Sequence, residues 1–375
     1  MIIGILKEPE FDNRVSLLPE AIKALDKLKA GIIIENEAGV RAIASDEEYI
    51  AAGAQTKSKD KVIAESDILL SINPVNEDII HKLKKGQVLI SIFNPLGDKS
   101  LIESLKKTDQ TYFSMDLIPR TSRGQAMDVL SSMATISGYK AVLDAAMRLP
   151  KFFPMFMTAA GTIRPVKMLI LGAGVAGLQA IAIARKLGAI VEVFDVRTAV
   201  KEQVQSLGGK FIEVEGAIED ESAGGYALEQ TEDFIKKQRQ LIHDHAVNSN
   251  VIICTAQIPG KKAPLLLQKE TVDDLKPGSV IIDLAASTGG NCYYTQNNKV
   301  IDIRGVKVVG NSSYPSEMPN DASRMYGNNL VNFLKLLISD EGNLQIDFED
   351  NIIKSTCIIH ANEIISERLK PLFSN

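Results

Sequence analysis

The sequence predicts an α/β fold with two Rossmann-like, doubly wound parallel-sheet domains and a nucleotide cleft between them. Three observations carry this. Short apolar runs alternate with helical segments through the first third of the chain. A glycine-rich turn stands between an apolar strand and a helix at Gly172–Gly177. A second alternating run then follows to about residue 310.

The first domain is read element by element. Ile2–Leu6 is a compact apolar strand. Pro19 to Leu28 carries Ile22, Leu25 and Leu28 at helical spacing. Gly31 to Glu35 is the next strand, and Ile68–Ile72 and Val88–Ile92 each end near an Asn-Pro turn, at Asn73-Pro74 and Asn94-Pro95. Ser132 to Leu149 reads as a long helix leading into the second domain. There the strands are Met168–Leu171, Ile190–Phe194, Lys210–Val214, Val251–Thr255, Val280–Leu284 and Val306–Val309. A strong helix, about Ser323 to Ile338, follows Pro319. A hairpin of Leu344–Phe348 with Ile352–Ile359 is expected to close the tail. The tail returns to the first domain, so the expected division is 1–131 with 320–375, and 132–319.

Bulk composition narrows the function. With 42 Lys+Arg against 47 Asp+Glu the net charge is −5, which argues against general affinity for nucleic acid. The cysteines Cys254, Cys292 and Cys357 have no metal-pair spacing and read as buried reduced thiols. No metal site is expected. The longest uncharged stretch, Met168 to Ala184, falls short of a membrane span and holds three glycines, so it reads as strand, turn and helix. The N-terminal apolar run, Met1 to Leu6, is too short and too soon acidic for a signal peptide. A soluble chain is expected, with any membrane link made through a partner.

The glycine turn is the most informative local motif. Gly172, Gly174 and Gly177 follow the G-x-G-x-x-G pattern, with Ala173, Val175 and Ala176 between them. In this pattern the first glycine makes the tight turn, the second lets the backbone approach a pyrophosphate, and the third lets helix pack on strand. The anion sits on free N–H groups at the helix N-terminus. Asp195 ends the next strand, eighteen positions after Gly177. An acid there accepts from the ribose hydroxyls and repels a 2′-phosphate, which favours NAD(H) over NADP(H). Arg197 tempers that preference, because an arginine beyond the acid can help a 2′-phosphate bind. The alternative is a glycine turn without a ligand.

The chain offers few acids for carbonyl reduction. The histidines are His81, His243, His245 and His360, and each reads as a solvated surface residue away from a strand end. Direct hydride exchange between two nicotinamides needs no proton at the reacting centre, only two rings held in contact.

A second motif has family character. Pro119-Arg120-Thr121-Ser122-Arg123-Gly124-Gln125-Ala126-Met127-Asp128-Val-Leu-Ser131-Ser132 resembles a Pro-Arg-x-Ser-Arg-Ala-Gln-x-x-Asp-x-Leu-Ser-Ser loop. That loop is found in the NAD(H)-binding subunit, domain I, of proton-translocating NAD(P) transhydrogenases. Thr158-Ala-Ala-Gly161, Lys201-Glu-Gln-Val204, Gly224-Gly225-Tyr226-Ala227, Ile258-Pro-Gly-Lys261, Gly278–Ala285, Gly289–Cys292 and Tyr326-Gly-Asn-Asn-Leu330 fit as well. The resemblance runs over essentially the whole chain and extends to the related alanine dehydrogenases.

The resemblance implies a set of roles. Arg120, Gln125, Asp128 and Ser131 would hold the nicotinamide and its ribose, with Arg120, Gln125 and Asp128 as the catalytic set. Thr121, Ser122, Arg123, Ala126 and Met127 would complete that loop's contacts. Gln125 would also reach toward a second nucleotide. Val196 would join Asp195 and Arg197 on the adenosine side, with Gln238 and Gln257 nearby. Gly225 and Tyr226 match a mobile loop that closes over the nucleotide. Taken alone, Arg120 and Asp128 could equally be a surface ion pair, and Tyr139 a core residue.

Some positions depart from the family pattern. Gly124 stands where the loop has alanine, which would loosen it. Gln257 also departs, being leucine in relatives. Ser71–Pro74 and Ile92–Pro95 lack the catalytic lysine and histidine of the alanine dehydrogenases, although Arg14 matches their substrate-binding arginine. Arg14 alone does not make a pyruvate site, and a structural role is expected.

The implied activity is that of a Re/Si-specific NAD(P)⁺ transhydrogenase. The chain would bind NAD(H) and a partner domain would carry NADP(H). Membrane-embedded subunits would couple hydride transfer to proton movement. A homodimer, peripheral on the cytoplasmic face of the inner membrane, completes the expectation. The alternatives are a soluble NAD-dependent alanine dehydrogenase and a non-catalytic NAD(H)-sensing protein.

Overall fold

The structure, a computed structural model, describes residues 1–214 and 232–373. Two compact units are present: Met1–Met133 with Pro315–Asn375, and Ala134–Tyr314.

Along the chain the strands are β1 (Ile2–Ile5), β2 (Gly31–Glu35), β3 (Gln55–Lys57), β4 (Ile68–Leu70), β5 (Val88–Ser91) and β6 (Thr111–Ser114). The second unit holds β7 (Phe156–Thr158), β8 (Gly161–Ile163), β9 (Lys167–Leu171), β10 (Ile190–Phe194) and β11 (Lys210–Ile212). It continues with β12 (Val251–Cys254), β13 (Val280–Asp283), β14 (Lys299–Ile303) and β15 (Val306–Gly310). The tail supplies β16 (Cys357–His360) and β17 (Glu363–Ile364).

The first unit's sheet runs β17-β16-β6-β5-β4-β1-β2-β3. From β3 to β6 all pairs are parallel, and β16 and β17 add antiparallel at one edge. The second unit's sheet runs β11-β10-β9-β12-β13-β15-β14, parallel except for β14. Each parallel core therefore starts in the middle, winds outward and then reverses, as in a doubly wound nucleotide-binding sheet. The reversal lies between β1 and β4 in one unit and between β9 and β12 in the other.

The sequence pattern explains the second sheet well. Met168, Ile170, Val251 and Ile253 pack into one apolar cluster. Their neighbours Leu169, Leu171, Ile252 and Cys254 pack into another. Alternate residues thus feed opposite faces, and both faces are covered, which is why these strands read as unbroken apolar runs.

Several expectations need correction. The tail is not a hairpin of Leu344–Phe348 with Ile352–Ile359. Asn351–Thr356 is a helix, and the antiparallel pair is β16 with β17. Asp350 caps this helix, its Oδ1 accepting from the Ile352 amide at 2.8 Å, so the apolar run is split between helix and strand. The long helix starts earlier than expected, at Val129, and ends at Arg148. The helix after residue 318 runs Pro319–Leu337.

Candidate functional site

The glycine turn is strapped into place from both sides. The Gly172 amide donates to the Phe194 carbonyl at 2.8 Å, at the end of β10. Thr255 Oγ1, at the end of β12, donates to the Gly172 carbonyl at 2.9 Å. Gly172 has φ +105°, a conformation that side chains rarely adopt. A Cβ on Gly177 would lie 2.0 Å from the Gly172 carbonyl oxygen. These two glycines are thus required by the protein's own backbone.

Gly174 differs. It precedes the helix Val175–Lys186, and a Cβ built on it meets nothing within 4 Å. Nothing in the chain itself needs a glycine there, so the open space fits a ligand brought close to the backbone. The first turn of the helix carries Val175, Ala176 and Gly177, whose N–H groups have no acceptor within the helix. This turn sits at the end of β9, beside the reversal point of the sheet. The residues present therefore fit the pyrophosphate of a dinucleotide.

Close packing from below fixes the same helix. On the helix Val129–Arg148, a Cβ at Gly138 would lie 2.1 Å from the Ala176 carbonyl oxygen. Sequence reading did not single out Gly138 or Thr255. Thr255 could have been found from its place at the C-terminal end of the strand beside the glycine strand.

Asp195 is nearly buried, its side chain 6% exposed. Its Oδ2 accepts from the Ala173 amide at 2.7 Å, so the acid also pins the glycine turn. Arg197 closes on it with Nε to Oδ1 at 2.9 Å and Nη2 to Oδ2 at 2.8 Å. That bond, together with the carboxylate charge, outweighs burial and raises the Arg197 pKa. Val196 lies between them and packs partly buried against the second apolar cluster.

Around the end of β12 a buried polar net holds the backbone. Asn291 Oδ1 accepts from the Ala256 amide, and its Nδ2 donates to the Ala256 and Pro264 carbonyls. Asp283 accepts from the Ala285, Asn291 and Cys292 amides and from Thr295 Oγ1 at 2.6 to 3.0 Å. Burial raises its pKa despite these four donors. Gln257 Nε2 donates to the Leu284 carbonyl at 3.0 Å. Gln238 is buried in the helix Glu232–Ala246. Gly225 and Tyr226 lie outside the described residues.

The first unit presents the second motif. Arg120, Thr121, Ser122, Arg123, Gln125 and Ala126 are exposed, whereas Gly124 and Met127 are buried. The turn is tight: the Gly124 amide donates to Thr121 Oγ1 at 3.1 Å and the Gln125 amide to the Thr121 carbonyl at 3.1 Å. A Cβ on Gly124 would stand 2.2 Å from the Pro119 carbonyl oxygen. Gly124 therefore tightens this loop, contrary to the expectation that it loosens it.

Two asparagines of the helix Pro319–Leu337 brace the loop. Asn329 Nδ2 and Asn332 Nδ2 both donate to the Ala126 carbonyl, at 2.9 and 3.2 Å. Asn329 Oδ1 also accepts from Ser132 Oγ at 2.7 Å. Arg123 pairs with Asp350. Asp128 caps the helix Val129–Arg148: its Oδ1 accepts from the Ser131 amide at 2.9 Å and its Oδ2 from Ser131 Oγ at 2.6 Å. The Asp128–Ser131 pair thus has a structural role beside any ligand role.

Arg14 is engaged internally. Asp12 accepts from its Nε at 2.9 Å and from Nη2, and Arg14 Nη1 donates to Met133 Sδ at 3.2 Å. Asn73 Nδ2 donates to both Asp12 and Glu8, at 2.8 and 2.9 Å. Burial alone would raise the Asp12 pKa, but the Arg14 and Asn73 contacts outweigh it and hold it below the usual value. Glu8 is raised, because burial dominates there. The structural role expected of Arg14 matches this geometry.

The histidines are less solvated than expected. His81 is exposed, but His245 Nδ1 lies 2.6 Å from Glu192 Oε2 and His360 Nδ1 lies 2.9 Å from Thr111 Oγ1. His243 Nδ1 lies 3.2 Å from Thr271 Oγ1. These partners are far away in sequence, which hid them. Among the described residues no group of three His, Cys, Asp or Glu could hold a metal ion. None of their helices is long and apolar enough to cross a membrane.

Known proteins share this sequence and this fold. The alanine dehydrogenase/PNT N-terminal domain matches residues 4–137, and the C-terminal domain of the same family matches residues 141–367. The chain is 44% identical over 368 residues to a NAD(P) transhydrogenase subunit alpha of Haemophilus influenzae, spanning 97% of this chain and 72% of that one. In Rhodospirillum rubrum the alpha subunit is divided, and the chain is 42% identical to its first piece, spanning 98% of this chain and 99% of that one. The crystal structure of a transhydrogenase from Sinorhizobium meliloti superposes with a TM-score of 0.89 at 38% identity, covering 97% of this chain and 100% of that one. An alanine dehydrogenase of Mycolicibacterium smegmatis is more distant, at 25% identity over 98% of this chain and 95% of its own. The chain belongs to the alanine dehydrogenase/PNT family, and within it its strong similarity is to the NAD(P) transhydrogenase alpha subunits.

Proposed function

We propose that this chain is the NAD(H)-binding subunit of a proton-translocating, Re/Si-specific NAD(P)⁺ transhydrogenase. One observation supports it above the others. The glycine turn leaves open space at Gly174, where the chain has no need of a glycine, and holds Asp195 beside the turn through the Ala173 amide. Gly172, Ala173, Gly174, Val175, Ala176 and Gly177 receive the pyrophosphate on backbone N–H groups. Asp195, Val196 and Arg197 take the adenosine ribose. Gln238, Gln257, Gly225 and Tyr226 are assigned to the nucleotide by resemblance. In the functional division, residues 1–131 and 320–375 form one domain and 132–319 the NAD(H)-binding domain.

Arg120, Gln125 and Asp128 act at the nicotinamide end, with Thr121, Ser122, Arg123, Ala126, Met127 and Ser131 shaping their loop. The chemistry a bound nicotinamide supplies is hydride transfer. The chain's own task is to hold the ring and keep water away, not to move a proton. NADP(H) is carried by a partner domain, and membrane-embedded subunits couple the transfer to proton translocation. On this reading the chain works in the cytoplasm, peripheral to the inner membrane. Self-association as a homodimer is supported by the exposed apolar residues Met147, Phe152, Met155, Phe156 and Met157, all in the second unit.

Alanine dehydrogenase activity is disfavoured because Arg14 is held by Asp12 and not turned toward a substrate carboxylate. The test mixes the chain with an NADP(H)-binding transhydrogenase domain and follows NADP⁺ reduction by NADH. Pyruvate plus ammonia is offered in a parallel assay. A rate above either protein alone supports the proposal. NADH oxidation by pyruvate and ammonia, without transhydrogenation, would replace it with the dehydrogenase. NADH binding with neither reaction would leave a sensing protein.

A further inference from the structure

Asp195 is not a bare acid. Its Oδ1 accepts from the Arg197 amide and from Arg197 Nε, both at 2.9 Å, while Oδ2 accepts from Nη2 at 2.8 Å and from the Ala173 amide at 2.7 Å. The guanidinium fork and the carboxylate are matched edge to edge, the strongest form of this contact. Arg197 is itself partly covered, its side chain 26% exposed. The pair is close to neutral. The repulsion of a 2′-phosphate that a lone carboxylate would exert is thus largely cancelled, and exclusion must rest on the carboxylate holding the guanidinium.

We propose that Arg197 is a specificity-determining residue: clamped to Asp195 it leaves a site for a free 2′-hydroxyl, and released from Asp195 it binds a 2′-phosphate. The proposal rests on the glycine turn being an NAD(H) site. A guanidinium freed from its carboxylate has a fork of donors that suits phosphate as well as it suited carboxylate. It also sits two residues from Asp195, at the end of the strand where the ribose is expected. A lysine would keep the charge and lose the fork.

The experiment measures NADH and NADPH dissociation constants by nucleotide fluorescence at fixed ionic strength. The proteins are the full chain and the variants Asp195→Ala, Asp195→Ser, Arg197→Ala and Asp195→Ala/Arg197→Ala, with folding checked by circular dichroism. Asp195→Ala is expected to weaken NADH about tenfold and tighten NADPH about tenfold, as a freed bidentate phosphate ligand should. Asp195→Ser, which can still accept from the Ala173 amide, should show the same inversion with the turn held. The NADPH gain should vanish in the double variant, and Arg197→Ala alone should weaken NADPH more than NADH. The inference is overturned if neither folded Asp195 variant gains affinity for NADPH, or if the gain survives loss of Arg197. In those cases NADH binding by the wild type leaves the NAD(H) site standing. A wild type that binds neither nucleotide removes both the site and the inference.

Discussion

Replacing Gly174 with alanine separates what the fold needs from what a ligand needs. Gly174 has φ −75° and ψ −170°, which alanine adopts without strain. The added Cβ meets no atom within 4 Å, so no packing is disturbed. Restricting the unfolded chain should stabilise the protein by 0 to about 1 kcal/mol. A nucleotide is affected differently. The methyl group projects where the pyrophosphate must approach the backbone, and displacing it forfeits hydrogen bonds to the helix N-terminus. A loss of at least about 1.4 kcal/mol, or about tenfold in NADH affinity, follows. Urea unfolding and NADH titration of the same preparation measure the two quantities. Unchanged NADH affinity in a folded variant would refute the assignment of this turn. A marked loss of stability would refute the claim that the space is open.

Local geometry yields three more. Gly138→Ala should gain about 1 kcal/mol in helix propensity but lose about 1–3 kcal/mol or more to the contact with the Ala176 carbonyl, and NADH binding should weaken as the glycine helix is pushed; a more stable variant with normal binding contradicts this. Asp128→Ala should cost about 1 kcal/mol by uncapping Val129–Arg148, while Asp128→Asn should recover most of it; if both variants unfold at the wild-type urea midpoint, the cap is not important. Asp12→Asn should cost about 3 kcal/mol, because Arg14 keeps a buried charge without its partner. The Asp12 pKa is lowered, so its contribution is present above its ordinary value of 3.8 and is lost as pH falls through the folded pKa. Glu8 is raised and works in the opposite sense above 4.5. Unfolding curves below pH 4 should therefore be flatter in the Asp12→Asn variant, and an unchanged slope would count against the pairing.

The parallel cores are legible in the sequence because their strands are buried on both faces and bounded by turn residues, as at Met168–Leu171 and Val251–Cys254. Short or half-exposed strands give no such signal. Gln55–Lys57 has only three residues, and Lys299–Ile303 is an exposed antiparallel edge. The run from Ile352 to Ile359 looks like one strand because β-branched residues favour a strand, until the cap at Asp350 turns the first half into helix. Gly172, Gly177 and Asp195 stand out through spacing alone. The Arg120–Ser131 loop has no periodicity, and only its resemblance to a family loop marks it. What braces it, the Asn329 amide on the Ala126 carbonyl, joins residues that only the fold brings together. The Arg197 clamp on Asp195 is equally hidden, since a sequence places an arginine near an acid without saying whether they meet.

Direct transfer between nucleotides is the core of the functional reading. NADH carrying deuterium at the transferred C4 position is mixed with NADP⁺, this chain and an NADP(H)-binding transhydrogenase domain in ordinary water. The label is expected to arrive in NADPH undiluted, on one face, with no reaction when either protein is omitted. Label lost to solvent, or no transfer with both proteins present and nucleotides bound, would contradict the account.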